Sequence, residues 1–188
     1  MDNHYRSYVA RLTAALDSDV MGKVKMLADA LQEAWENRRQ VFICGNGGSA
    51  GNAIHLANDF NYGISKKNGI GLRIDALPAN QSIITCLAND EGYEYIYSQQ
   101  LKVKGNEGDM LIVLSGSGNS PNVVKALEVA NELKMQTFAI LGFSGGKCKE
   151  IAKVPIHFPI NDMQISEDIQ TIIGHMCMQW LCTNNDNK

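Results

Sequence analysis

Two loops in this 188-residue chain carry the residue types that hold an anion or a polyhydroxylated ligand. Ser115-Gly116-Ser117-Gly118-Asn119-Ser120 follows an apolar run and precedes Pro121, a residue favoured in the first turn of a helix. Glycine lets the backbone approach a ligand closely, and serine adds hydroxyl donors. The helix that follows offers free N–H groups and the positive end of its dipole. Ser115, Gly116, Ser117 and Ser120 therefore form a candidate phosphate cradle. The lysine of G-x-x-x-x-G-K-[ST] is missing and G-x-G-x-x-G is not met, so no nucleotide cofactor is expected. Gly45-Asn46-Gly47-Gly48-Ser49 stands in the equivalent place after an earlier apolar run. Asn46 is suited to orienting hydroxyls there, and Gly47, Gly48 and Ser49 to close contact with a ligand.

On the helix behind that loop, His55 and Asp59 are four residues apart and share a face. A histidine and a carboxylate at that spacing can share a metal or a proton; they can equally be a solvated polar pair. Near the C-terminus stand Glu167, Asp168, Gln170 and His175. Gln170 and His175 are five apart, so they diverge by roughly 140° around a helix and are not an obvious ligand pair. Asn89-Asp90 could hold sugar hydroxyls or cap a helix. His4 and His157 read as structural.

The elements that must position these residues follow from periodicity. Residues 4–37 carry an apolar stripe (Tyr8, Leu12, Leu16, Val20, Val24, Leu27, Leu31) of one long helix, or two with a bend near Met21-Gly22. That stripe is long for one small sheet, so part of it is expected to bury against another copy of the chain. Beyond it, strands are predicted at 40–44, 69–77, 109–114, 136–141 and 154–158. Helices are predicted at 50–60, 82–87, 93–103, 121–133 and 165–181, with a frayed polar tail at 183–188. Strands alternating with helices imply a mostly parallel sheet covered on both faces. The expected organisation is one domain over 1–188: an N-terminal helical oligomerisation segment (1–37) and an α/β core (38–183).

Composition excludes several classes. The formal net charge of -3 argues against broad nucleic-acid binding, which needs a basic footprint. No apolar run approaches the ~18 residues of a membrane span, and the N-terminus shows no signal peptide. Five cysteines, without C-x-x-C spacing, read as reduced thiols in a cytoplasmic protein.

Read together, ICGNGGSAGNAIH (43–55), LANDEGYEYIYSQQL (87–101), GNEGDMLIVLSGSGNSPNVVKAL (105–127) and Ile169-Gln170 resemble the SIS (sugar isomerase) domain family. The nearest resemblance is to its phosphoheptose isomerase group, which converts sedoheptulose 7-phosphate to D-glycero-D-manno-heptose 7-phosphate. The resemblance implies a three-layer α/β/α sandwich around a five-stranded parallel sheet, a homotetramer and a phosphorylated-sugar substrate. It makes Asn46, Gly47, Gly48, Ser49, Asn89, Asp90, Ser115, Gly116, Ser117, Ser120 and Gln170 substrate-binding, although Gly116 replaces a usual threonine. It makes His55, Asp59 and Gln170 metal ligands, with Asp59 at the position of a catalytic glutamate.

The family's catalytic histidine, eight residues after the glutamine, falls on Met178, and a usual arginine falls on Gly63. His175, one turn before Met178, is the surrogate candidate for general acid–base work. Without the histidine, zinc is expected to bind weakly or not at all. Two functions are thus implied: an aldose–ketose isomerase working through an enediol, or a non-catalytic SIS protein. The second would bind a sugar phosphate or a protein partner, as the replication-initiator-associating type does.

Overall fold

The computed structural model describes residues 1–65 and 70–185. Its five strands are β1 (Val41–Cys44), β2 (Ile74–Ala76), β3 (Met110–Ser115), β4 (Gln136–Leu141) and β5 (Val154–His157). They pair only in parallel, in the order β2-β1-β3-β4-β5. Helices cover both faces, as the sequence implied. Along β3, Met110, Ile112 and Leu114 point into one core and Leu111 and Val113 into the other. This double burial explains why the strands read as continuous apolar runs.

One face carries α1 (Asp2–Leu16), α2 (Met21–Glu36), α3 (Gly48–Tyr62) and α8 (Met163–Asn185). In α8 the buried residues Ile165, Ile169, Ile173, Cys177 and Leu181 recur every four residues and form its core stripe. The other face carries α4 (Gln81–Asp90), α5 (Ser98–Lys104), α6 (Pro121–Glu132) and α7 (Gly146–Ile151).

Several boundaries differ from the sequence reading. The N-terminal stripe is two helices broken at residues 17–20, ahead of the expected bend at Met21-Gly22. α2 buries Val24, Leu27, Ala28, Leu31 and Ala34, whereas α1 buries none of its residues. Two side chains tether α1 to α8 and its approach: the Tyr8 hydroxyl donates to Asp168, and Arg11 pairs with Asp162.

The strand predicted at 69–77 is only Ile74–Ala76, and Gly69 lies outside the described residues. The preceding backbone packs on the end of α3 instead, where Leu72 N–H donates to Phe60 O at 3.1 Å. The helix predicted at 93–103 is a 3₁₀ turn (Tyr93–Tyr95) followed by α5. α8 continues through Thr183 to Asn185, where a frayed tail was predicted; 186–188 lie outside the described residues.

The chain leaves β1 in one direction across the sheet, to β2, and β3 in the other, to β4 and β5. The crevice of such a sheet opens at this reversal, beyond the carboxyl ends of β1 and β3. The two glycine- and serine-rich loops sit there.

Candidate active site

β3 ends at Ser115, and the loop that follows folds on its own serines. Ser115 Oγ accepts from Gly118 N–H at 3.0 Å, and Ser117 Oγ accepts from Asn119 N–H at 3.3 Å. A hydroxyl that accepts one bond still has a proton to donate, so both serines keep a donor for an anion. Ser120 is the N-cap of α6 but makes no side-chain capping bond. The first turn of α7 buttresses the cradle: Cys148 N–H donates to Gly118 O at 2.9 Å and Lys147 N–H to Asn119 Oδ1 at 3.0 Å. Gly116 is buried, and Met163 Sδ would lie 2.7 Å from a Cβ placed on it. The room a threonine would use at this position is filled by that methionine.

The β1 loop is fixed from the side. Asn46 and Asn122 form a reciprocal amide pair: Asn46 Nδ2 to Asn122 Oδ1 at 2.8 Å, Asn122 Nδ2 to Asn46 Oδ1 at 2.7 Å. The Tyr93 hydroxyl also donates to Asn46 Oδ1, at 3.2 Å. The Tyr97 hydroxyl donates to Gly45 O, and burial pushes its phenol well above the ordinary tyrosine range, so it stays a neutral donor.

α3 starts at Gly48 after Gly47, whose φ of 55° is left-handed. A Cβ on Gly48 would lie 2.4 Å from Glu167 Oε2, so the missing side chain admits the Glu167 carboxylate to the first turn of α3. A negative group is favourable at that dipole end. Ser49 is buried beside it. Asn89 and Asp90 form the exposed last turn of α4, and Asn89 Nδ2 donates to Asp90 Oδ1 at 2.7 Å. In the same helix the exposed Cys86 thiol is pushed up by its hydrogen bond to Asp90.

His55 and Asp59 project from α3 toward α8, where His175 meets them. His175 Nε2 is 2.9 Å from His55 Nε2 and 3.2 Å from Asp59 Oδ2, and His55 Nε2 is 3.4 Å from the same oxygen. These three residues form a potential metal-binding group, with one ligand atom from each lying within 4.8 Å of the other two. Two imidazoles and a carboxylate are a donor set that suits zinc, whose catalytic sites take three protein ligands and keep one position open.

The close approach of the helices has a specific cause. A Cβ on Gly174 would lie 2.3 Å from Leu56 Cδ2, so α3 packs directly on the backbone of α8 one residue before His175.

The structure brings His175, and not Met178, against His55 and Asp59. Met178, on which the family position fell by residue counting, packs against the core, and its methyl group would lie 2.6 Å from a Cβ on Gly63. His175 is the residue that reaches His55 and Asp59. Gln170 is 1% exposed; its Oε1 accepts from Asn52 Nδ2 at 3.1 Å, and its Nε2 is buried without a partner among the described residues. Asn122, Tyr93, Tyr97 and Glu167 escaped assignment to the site from sequence. The only hint was their adjacency to the loops in the 87–101 and 105–127 segments and on α8.

A SIS domain family model matches residues 4–142. The phosphoheptose isomerase of Aneurinibacillus thermoaerophilus is 34% identical over 177 residues, 93% of this chain and 88% of that one. The phosphoheptose isomerase of Helicobacter pylori is 34% identical over 181 residues, 94% of this chain and 93% of that one. The solved phosphoheptose isomerase of Neisseria gonorrhoeae superposes with a TM-score of 0.88 at 26% identity, covering 97% of this chain and 96% of that one.

Proposed function

Because the chain belongs to the SIS domain family, we propose that it is a phosphoheptose isomerase. It interconverts sedoheptulose 7-phosphate and D-glycero-D-manno-heptose 7-phosphate through an enediol. The observation that carries this reading is the meeting of His55, Asp59 and His175 on two packed helices. His55 stands seven residues after Gly48, about 10 Å along α3 by helical rise. A ligand that joins loops to cluster is elongated, as a sugar chain phosphorylated at its far end is.

In this reading Ser115, Ser117, Ser120 and the start of α6 hold the phosphate. Gly116, Gly47, Gly48 and Ser49 line the approach, and Asn46, Asn89 and Asp90 hold hydroxyls. Asp59 takes the proton from the carbon next to the carbonyl and delivers one to the former carbonyl carbon, while His175 moves the hydroxyl proton between the two oxygens. His55 holds both in register. His55, Asp59 and His175 would hold zinc, which when bound polarises the sugar's carbonyl oxygen. Gln170, from inside α8, steadies α3 through Asn52.

We place the protein in the cytoplasm as a homotetramer. All five cysteines are free, and no helix among the described residues is long and apolar enough to cross a membrane. Tyr5 and Val9 on α1 are exposed apolar side chains, and so are Ile54 and Met176, which adjoin His55 and His175. Another copy covering these residues would close the site against water.

The test is turnover of sedoheptulose 7-phosphate followed by NMR, on chelator-treated and zinc-reloaded protein. The aldose product should form, and faster with zinc. Absence of product under both conditions overturns the reading.

A further inference from the structure

We infer that Asn122 is a positioning residue of the isomerisation, acting through Asn46; this rests on the proposed function, in which Asn46 holds substrate hydroxyls. Asn122 lies in the first turn of α6, one residue after Pro121, and is 1% exposed, so it does not meet a ligand itself. Its amide makes three hydrogen bonds. Oδ1 accepts from Val123 N–H at 3.0 Å and from Asn46 Nδ2 at 2.8 Å, while Nδ2 donates to Asn46 Oδ1 at 2.7 Å.

A reciprocal amide pair fixes the plane of both groups, because each side offers one donor and one acceptor. Asn46 therefore cannot turn over without breaking two bonds. It presents its second N–H, and the carbonyl shared with Tyr93, in one orientation only. The pair also crosses the crevice. Asn46 belongs to the loop after β1, and Asn122 opens the helix behind the phosphate cradle on β3. The strut thus sets the separation between the group that holds the phosphate and the group that orients the sugar hydroxyls. A displacement of about 1 Å in such a distance is enough to cost on the order of a hundredfold in rate.

The test is a double-mutant cycle on the full chain with Asn46→Ala, Asn122→Ala and the double variant. Asn122→Asp is added as an isosteric substitution that keeps the accepted bonds and loses the donated one. Thermal melts establish that each variant is folded. The readouts are kcat and KM for sedoheptulose 7-phosphate, and inhibition by inorganic phosphate, which probes the cradle alone.

Asn122→Ala and Asn122→Asp should each lower kcat/KM by roughly tenfold to a hundredfold, with phosphate inhibition changed less than about threefold. The double variant should be no worse than about threefold below Asn46→Ala, because a residue acting through Asn46 has nothing left to act on. Losses that multiply in the double variant, or unchanged kcat/KM in Asn122→Asp, overturn the proposal. If Asn122→Ala does not fold, Asn122→Asp and its double with Asn46→Ala complete the same cycle.

Should wild type fail to turn over the sugar, the isomerase reading falls by that result alone. The strut is then judged by NMR: Asn122→Asp must shift the Asn46 side-chain amide resonances and alter binding of sedoheptulose 7-phosphate more than binding of inorganic phosphate. Unmoved resonances or equal changes overturn it.

Discussion

Gly174 lets the helices that carry the proposed chemistry pack closely, and Gly174→Ala is the most informative small perturbation of the site. The added methyl would lie 2.3, 2.7 and 3.0 Å from Cδ2, Cδ1 and Cγ of Leu56. Ordinary carbon contacts are about 3.5–4.0 Å, so α3 and α8 must part by roughly 1 Å at this point. Leu56 is 2% exposed and has little room to swing aside.

Overpacking of this kind costs about 1–3 kcal/mol, and replacing a mid-helix glycine with alanine returns about 1 kcal/mol. The net loss of stability is therefore small, about 0–2 kcal/mol. The effect on the site is larger. His175 is the next residue, and its distances of 2.9 Å to His55 and 3.2 Å to Asp59 would open by a comparable amount. Misplacement on that scale costs on the order of a hundredfold in rate.

The assay pairs turnover of sedoheptulose 7-phosphate and zinc titration with a thermal melt. Near-wild-type melting, weakened zinc binding and a loss of about two orders of magnitude in kcat/KM are expected. Adding Leu56→Ala, which removes all three crowded atoms, should recover part of the activity while lowering the Tm. Activity of Gly174→Ala within about threefold of wild type would refute the reasoning that helix contact sets the cluster.

Further outcomes follow from other parts of the molecule. Replacing Ser117 and Ser120 together with alanine should weaken sugar-phosphate affinity by about 2–4 kcal/mol, measured by calorimetry, counting ~1–2 for each charge-assisted bond. Met178→His should leave kcat/KM within about threefold of wild type in steady-state assays, because position 178 packs on Gly63 and the cluster has its second histidine in His175. Asp162 accepts from Ile165 N–H at the start of α8 and pairs with Arg11 of α1, and these contacts hold its carboxyl below the ordinary 3.8. A depressed folded-state value contributes stability that is present above the ordinary carboxylate value and lost as pH falls through the folded one. Asp162→Asn should therefore lower the Tm at pH 7 and have progressively less effect below about pH 4.

The loops were legible because local rules govern them. Glycine and serine after an apolar run, with proline next, encode a strand, a turn and a helix start, and Ser115–Pro121 obeys each rule. The pairing of His55 with Asp59 was legible for the same reason, since i,i+4 spacing is a property of one helix. What joins them to His175 is not local. It depends on which face of α8 meets α3, and Gly174 decides this by admitting Leu56. Counting eight residues from Gln170 to Met178 could not reveal it. Asn122 escaped notice because its partner lies across the crevice on another strand's loop. The division of the N-terminal stripe was placed a few residues late, at Met21-Gly22, because Asp17–Val20 contains neither glycine nor proline to mark a break.

The most direct measurement is isomerisation of sedoheptulose 7-phosphate in D₂O by wild type and by His175→Ala, with deuterium in sugar and product read by NMR. An enediol route working through Asp59 and His175 should place solvent deuterium on the carbons adjacent to the carbonyl in wild type. The His175→Ala rate should fall by about 10²–10⁴, the usual contribution of a general acid–base group. Wild-type turnover with His175→Ala within about threefold of it, or no exchange and no product from either protein, would contradict the assignment of this cluster as the isomerase centre.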